Sequence, residues 1–225
     1  MTDTASKPKS NTQRAIDAMR EMIFSGELTA GSDHLESELA QRLDMSRTPV
    51  REAALTLESQ GLLEMRPRKG VRILSVSSGD MREIYDVLTE LESLAVRRAA
   101  SFGYSNADLV HLANAMKEME ATIEAGELED WADADGKFHT ELVRLGKNKR
   151  LEAIAGIMSD QVRRARTITL FMRPVPTQSN QDHRLVYEAI QSGQSDHASA
   201  LHRAHMERAR DVILALLERH RLKRV

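Results

Sequence analysis

The chain has 225 residues, with 32 Lys and Arg against 34 Asp and Glu and a formal net charge of −2. That balance excludes a general electrostatic attraction to nucleic acid or to an acidic membrane, so any such binding must come from charge placed locally. The lack of cysteine excludes a disulfide framework, a thiolate metal site and a cysteine nucleophile. With 41% apolar residues but no apolar run of membrane-spanning length, and an opening "MTDTASKPKSNTQ" without the apolar core of a secretory leader, the composition describes a cytoplasmic globular protein.

In chain order, residues 1–10 read as a disordered tail. A helix is expected from about Thr12 to Phe24, with Ile16, Met19 and Ile23 as its apolar stripe. "SGELTAGS" breaks it, "ESELAQRL" forms a short second helix and "DMS" turns the chain. A third helix follows to about Gln60, with Thr48 as N-cap, Pro49 at the first helical position and Val50, Ala53, Ala54 and Leu57 facing inward. Beyond Gly61, "LLEMRPRKGVRIL" alternates around a Pro/Gly tip as a two-stranded hairpin would. Helix, helix, turn, helix and hairpin over 11–76 make a winged helix-turn-helix.

The third helix opens with Arg47 and Arg51, although a helix amino end already carries a partial positive charge and favours acidic residues. Cations there make sense if an anion docks against that end. From Ser46 to Arg72 there are six basic side chains against three acidic ones, and the excess sits at this helix start and at the hairpin tip, with Arg66, Arg68, Lys69 and Arg72. In helix-turn-helix docking, that amino end meets base edges in the major groove. Arg47, Thr48 and Arg51 are therefore the expected readers of double-stranded DNA.

A linker at 77–79 leads to a second region, 80–222, that reads as helix throughout. Asp80 with Glu83 makes a capping-box-like start, and helices are expected at about 80–101, 106–125, 130–145, 148–172, 178–192 and 195–221. The fold class is mainly α: a winged helix-turn-helix followed by an all-α six-helix bundle. In "WADADGKFHTEL", Trp131, Phe138 and Leu142 form an apolar stripe that also contains Asp135 and His139, four residues apart on one face. A buried carboxylate is costly unless paired or metal-bound. His183 shares a face with Val186, Tyr187 and Ile190, and His205 shares one with Leu201, Ala209, Val212 and Leu216. One aspartate and three histidines suit zinc or another divalent first-row ion, nickel included. Single inward histidines are commonly satisfied core residues, however, and His202, with Met206, Ala209 and Ile213, rivals His205.

These segments resemble a known family. "SGELTAGSDHLESELAQRLDMSRTPVREAALTLESQGLLEMRPRKGVRIL" is similar to the DNA-binding domain of the GntR family of bacterial transcription regulators, with "SRTPVREA" as the most specific piece. The resemblance implies contacts to operator DNA from Arg47, Thr48, Arg51 and a wing tip of Arg68, Lys69 and Gly70. Ser37 stands where family members often carry arginine. "YDVLTELESLAVRRAA", "DADGKFHTELVRLGKN" and "QDHRLVYEAIQSGQSDHASALHRAHMERA" resemble the FCD effector-binding domain of FadR-type members, in its smaller VanR-like form. That resemblance implies a divalent metal held by Asp135, His139, His183 and His205 rather than His202, a carboxylate effector and a homodimer. Leu88 replaces an arginine usual in the family, which leaves Arg163 and Arg166 as candidate effector anchors. A metal-dependent hydrolase, or a DNA-binding protein with a purely structural metal, are the alternative readings.

Overall fold

The computed structural model describes residues 9–220. Most of the expected tail and the last expected residue of the final helix lie outside the described residues. Of the tail, Lys9 and Ser10 are described, and Ser10 caps the first helix by accepting from the Gln13 amide. The chain divides into two compact units between Ser75 and Val76.

The first unit runs α1 (Asn11–Phe24), β1 (Asp33–His34), α2 (Glu36–Arg42), α3 (Arg47–Ser59), β2 (Leu63–Arg66) and β3 (Gly70–Ile73). Apolar residues at helical spacing put Met19 and Ile23 of α1 against Val50, Ala53 and Leu57 of α3, with Leu39, Leu63, Val71 and Ile73 completing one core. The three strands form an antiparallel sheet in the order β1-β3-β2. The sequence reading missed β1, whose two polar residues carry no alternation to detect. α3 begins earlier than expected: Ser46 occupies the N-cap, so Thr48 and Pro49 lie inside the first turn. Proline is tolerated there because amides in the first turn have no intrahelical acceptor.

The hairpin turns through Arg66–Pro67–Arg68–Lys69, closed by the Lys69 amide donating to the Arg66 carbonyl at 3.0 Å. Arg68 has φ +64°, an unusual value for a residue with a Cβ. Gly70 follows at φ +80°, and a Cβ built there would lie 2.2 Å from the His34 carbonyl oxygen. Backbone, not a flexible side chain, fills that space. Gly70→Ala is therefore expected to cost about 2 kcal/mol and to splay the wing from β1. Chemical denaturation checks the cost, and an unchanged midpoint would show that the β1 segment yields freely.

The second unit contains α4 (Ser78–Ser101), α5 (Val110–Ala125), α6 (Leu128–Leu145), α7 (Lys149–Thr169), a 3-10 turn at Leu170–Met172, α8 (Thr177–Gln191) and α9 (Ser195–Arg219). α4 is capped differently from expectation. Ser77 Oγ accepts from the Asp80 amide at 3.1 Å while Asp80 Oδ2 accepts from the Ser77 amide at 2.8 Å, so the expected linker residues belong to the cap and first turn. Two aliphatic clusters make the core. One groups Val96, Leu112, Met119, Trp131, Phe138, Val186 and Ile190, and the other groups Met81, Tyr85, Leu88, Val162, Met206 and Ile213. α4 and α6 approach closely at Gly146, where an added Cβ would lie 2.9 Å from the Ala95 Cα. That packing brings the inward polar faces of α4, α6, α8 and α9 together.

Candidate metal centre and nucleic-acid interface

α6 carries Asp135 and His139 one helical turn apart, α8 brings His183 and α9 brings His205. All four side chains are buried, and each offers a ligand atom within 4.8 Å of the others. The Nε2 atoms of His183 and His205 face each other at 3.2 Å. Asp135 Oδ1 lies 3.7 Å from His139 Nε2 and 3.6 Å from His183 Nε2. Ligands about 2.0–2.1 Å from a tetrahedral ion sit roughly 3.3 Å apart, so these separations match the edges of a coordination polyhedron. His139 Nε2 is buried without a hydrogen-bond partner, as an atom facing an ion would be.

The opposite ring nitrogens are held by carboxylates that the sequence reading did not single out. His139 Nδ1 lies 2.8 Å from Glu92 Oε2, and His205 Nδ1 lies 3.3 Å from Asp182 Oδ2. A carboxylate on the far nitrogen fixes the tautomer and directs Nε2 inward, which is the usual outer arrangement of a histidine-bound metal. Asp182 also accepts from Gln178 at 3.1 Å and pairs with Arg208 at 2.6 Å. Asp182 directly precedes His183, and Glu92 recurs on the inward face of α4 with Leu88 and Ala95, so burial periodicity was the available signal.

His202 is 0% exposed, and its Nε2 sits 3.1 Å from Glu92 Oε2. α9 therefore aims two histidines inward, three residues apart: His202 toward Glu92 of α4 and His205 toward α8. Glu92, His139 and His202 form a second buried group of potential ligands that shares His139 with the first.

Burial penalises the charged form of His183 and holds its pKa well below the ordinary value, with the neighbouring imidazoles acting in the same direction. Burial likewise pushes His205 down to about 4, against the opposing hydrogen bond to Asp182, and lowers His202. His139 is also desolvated, but the Glu92 and Asp135 carboxylates outweigh burial and raise it. Three depressed imidazoles against one raised set the sign. A depressed group binds fewer protons folded than unfolded, so its contribution is present above the unfolded value of about 6.5 and is lost as pH falls through the folded one. The metal-free protein is expected to melt at a lower temperature at pH 5 than at pH 7.5. A flat or inverted profile would mean that His139 dominates.

The proposed effector anchors separate. Arg166 donates to Asp135 Oδ2 inside the cluster, whereas Arg163 is half-exposed and lies 3.5 Å from Asp133. Leu88 is buried at 2% exposure, so α4 places no guanidinium there. A cavity of about 200 Å³ opens beside the cluster, with His205 and Asp182 on its wall together with Trp131, Leu170, Arg173 and Arg208. Neither Arg163 nor Arg166 lines it. The cavity's guanidiniums are Arg173 and Arg208.

In the first unit, Arg47, Thr48 and Arg51 are all exposed along the opening of α3, and Arg68 and Lys69 are exposed at the wing tip. Gly70 provides the turn beneath that tip. The other two basic residues of the hairpin are engaged: Arg66 and Arg72 lie 3.7 and 3.2 Å from Asp33. Arg51 is 63% exposed and 3.5 Å from Glu36, a contact weak enough to yield to a phosphate or a base.

Residues 11–73 match the gntR family of bacterial regulatory proteins, and residues 83–208 match the FCD domain. An HTH-type transcriptional regulator from the TAR-I ttuE-ttuC' intergenic region of Agrobacterium vitis is 39% identical over 131 residues, covering 57% of this chain and 77% of the relative. The HTH-type transcriptional regulator LutR of Bacillus subtilis is 29% identical over 219 residues, covering 88% and 98%. Among solved structures, McbR/YncC of E. coli superposes with a TM-score of 0.80 at 20% identity, covering 93% of this chain and 99% of that one.

Proposed function

The chain belongs to the GntR family of bacterial regulatory proteins and carries an FCD domain, so it is a DNA-binding transcriptional regulator, and we propose that a small organic acid taken up beside a divalent metal controls its operator affinity. One observation supports this reading above others. Four buried ligand atoms from three helices converge within 4.8 Å beside a cavity whose wall includes one of them, His205, in a chain that also carries an exposed basic helix start and wing tip.

Asp135, His139, His183 and His205 would hold the ion, zinc first among the candidates and nickel or another first-row ion as alternatives. When bound, it supplies a Lewis-acidic position for an oxygen of the effector. Glu92 and Asp182 keep the His139 and His205 rings in the tautomer that presents Nε2, and Arg166 offsets the buried charge of Asp135. On the DNA, Arg47, Thr48 and Arg51 enter the major groove while Arg68 and Lys69 meet phosphates. A homodimer would place two such readers on two half-sites. The acid can change operator affinity only by as much as it prefers one arrangement of the protein over another.

The test is operator binding by the zinc-loaded and chelator-stripped chain, with and without a panel of organic acids. A shift in operator affinity that needs both zinc and an acid is the expected result. Acid-independent operator binding in both forms would reduce the metal to a staple of the helical unit.

A further inference from the structure

Three guanidiniums lie at or beside the cavity, and two of them are already spoken for. Arg166 is paired with Asp135, and Arg208 is half-exposed and paired with Asp182. Arg173 differs. Among the described residues no carboxylate lies within ion-pairing distance of it, although it lines the cavity. Its contacts are to neutral acceptors: Nε donates to Thr169 Oγ1 at 3.1 Å, and Nη2 donates to Thr169 Oγ1 at 2.5 Å and to the Arg166 carbonyl at 2.9 Å. These bonds hold the planar head in place and, among the described residues, leave Nη1 unused. Burial, and repulsion from Arg166, depress its pKa to about 10 against a weaker opposing pull from Tyr85 and Asp135. Most of the wall is apolar, with Leu128, Trp131, Leu170, Pro174, Val175 and Val212, and the polar groups Gln178, Asp182, His205 and Arg208 already bond to one another.

We infer that Arg173 is the anion anchor of the effector site, and that the effector is a monocarboxylic acid with a compact apolar body rather than a polyhydroxylated acid. This rests on the sensor reading above and specifies its ligand. The free Nη1 of a guanidinium held in this way donates to a carboxylate oxygen in a charge-assisted bond, and the acid's charge supplies the missing counter-ion. Arg173 and His205 line the same cavity, which places the anchored carboxylate beside the metal-competent cluster. The body then replaces water against Trp131, Leu170 and Val212. A sugar acid would strip most of its hydroxyls of water against those walls, since the polar groups of the lining other than Ser179 and Arg173 are engaged with one another. A cavity of about 200 Å³ is also smaller than the usual pocket for a drug-sized molecule, which restricts the body to a short branched chain or one ring.

The experiment uses the zinc-loaded full chain and calorimetric titration with benzoate, 3-methylbutanoate, gluconate and benzamide. One of the two apolar acids is expected to bind at least about tenfold more tightly than gluconate, and benzamide, the uncharged counterpart of benzoate, is expected to bind no better than gluconate. Arg173→Gln should weaken the preferred acid by about tenfold or more, with Arg173→Lys in between because it keeps the charge and loses the bonds to Thr169 and the Arg166 carbonyl that hold the head in place. Tighter binding of gluconate, equal binding of benzamide and benzoate, or undiminished binding by Arg173→Gln would each overturn the inference. The benzamide comparison needs no variant and so stands even if Arg173→Gln misfolds. Operator affinity is measured in parallel. Binding and an operator shift with gluconate would retain the sensor reading and reject the anchor. Arg173-dependent binding of an apolar acid without any operator shift would retain the anchor and reject the sensor.

Discussion

His205→Ala is expected to lower metal affinity by about a hundredfold or more and to abolish any metal-dependent effector response. Changing an outer-shell partner alone typically costs about 10–100-fold, and His205 is placed to ligate directly. Its Nε2 faces that of His183 at 3.2 Å while Asp182 holds its other nitrogen. His202→Ala is the contrasting case. His202 leaves the four-atom set intact but is a buried neighbour of Glu92, so its loss is expected to cost about 1–3 kcal/mol of stability while metal is retained. Elemental analysis after dialysis, together with denaturation of both variants, separates these outcomes. Loss of metal from His202→Ala with retention by His205→Ala would move the centre to the Glu92 cluster. By its place on an apolar face, Asp135 is a buried carboxylate that is costly unless paired or metal-bound. The Arg166 contact supplies that pairing: Asp135 keeps a cationic partner without the ion, so metal removal should loosen the bundle less than an unpaired buried carboxylate would.

Arg51→Ala is expected to weaken specific operator binding by about 1–3 kcal/mol, roughly 5–150-fold, and to flatten preference at one position in each half-site. Arg51 is on the exposed face of the first turns of α3, with only the Glu36 contact to give up among the described residues. An exposed ion pair contributes about 0–1 kcal/mol, so a bidentate contact to a base outweighs its loss. Lys69→Ala at the wing tip should weaken all sequences about equally and reduce the dependence of log affinity on log salt by about one unit. Binding assays on operator and scrambled duplexes at several salt concentrations distinguish the two patterns. Unchanged operator binding by both variants would remove α3 and the wing from the DNA.

Much of the architecture was legible before the fold was known. Helical periodicity located the stripes of α1, α3 and the bundle helices, and a Pro/Gly tip between alternating runs located the β2–β3 hairpin. Arg47 and Arg51 stood out because they oppose the helix dipole. The Asp135–His139 pair was visible because residues four apart share a helix face. Caps were less secure. Several Ser, Thr and Asp residues near a boundary can each accept from an amide, and the choice of Ser46 over Thr48, or of the Ser77–Asp80 box over Asp80–Glu83, depends on backbone angles set by neighbouring segments.

By itself, the sequence determined the local facts: which stretches are helical, which faces are apolar, and which polar groups interrupt those faces. These follow from spacing along one chain segment. Only the tertiary structure decided which interruptions meet. His202 and His205 have equally apolar neighbours on α9, and what separates them is the packing partner, Glu92 of α4 for one and His183 of α8 for the other. The same holds for the cations. Arg163, Arg166 and Arg173 are interchangeable in composition, yet one reaches Asp133, one is fixed to Asp135 and one lines a cavity with only neutral acceptors bonded to it among the described residues. Helix periodicity specifies a direction from one axis, whereas a ligand set or a counter-ion requires atoms from several axes to arrive within a few ångströms, and that depends on how the helices pack.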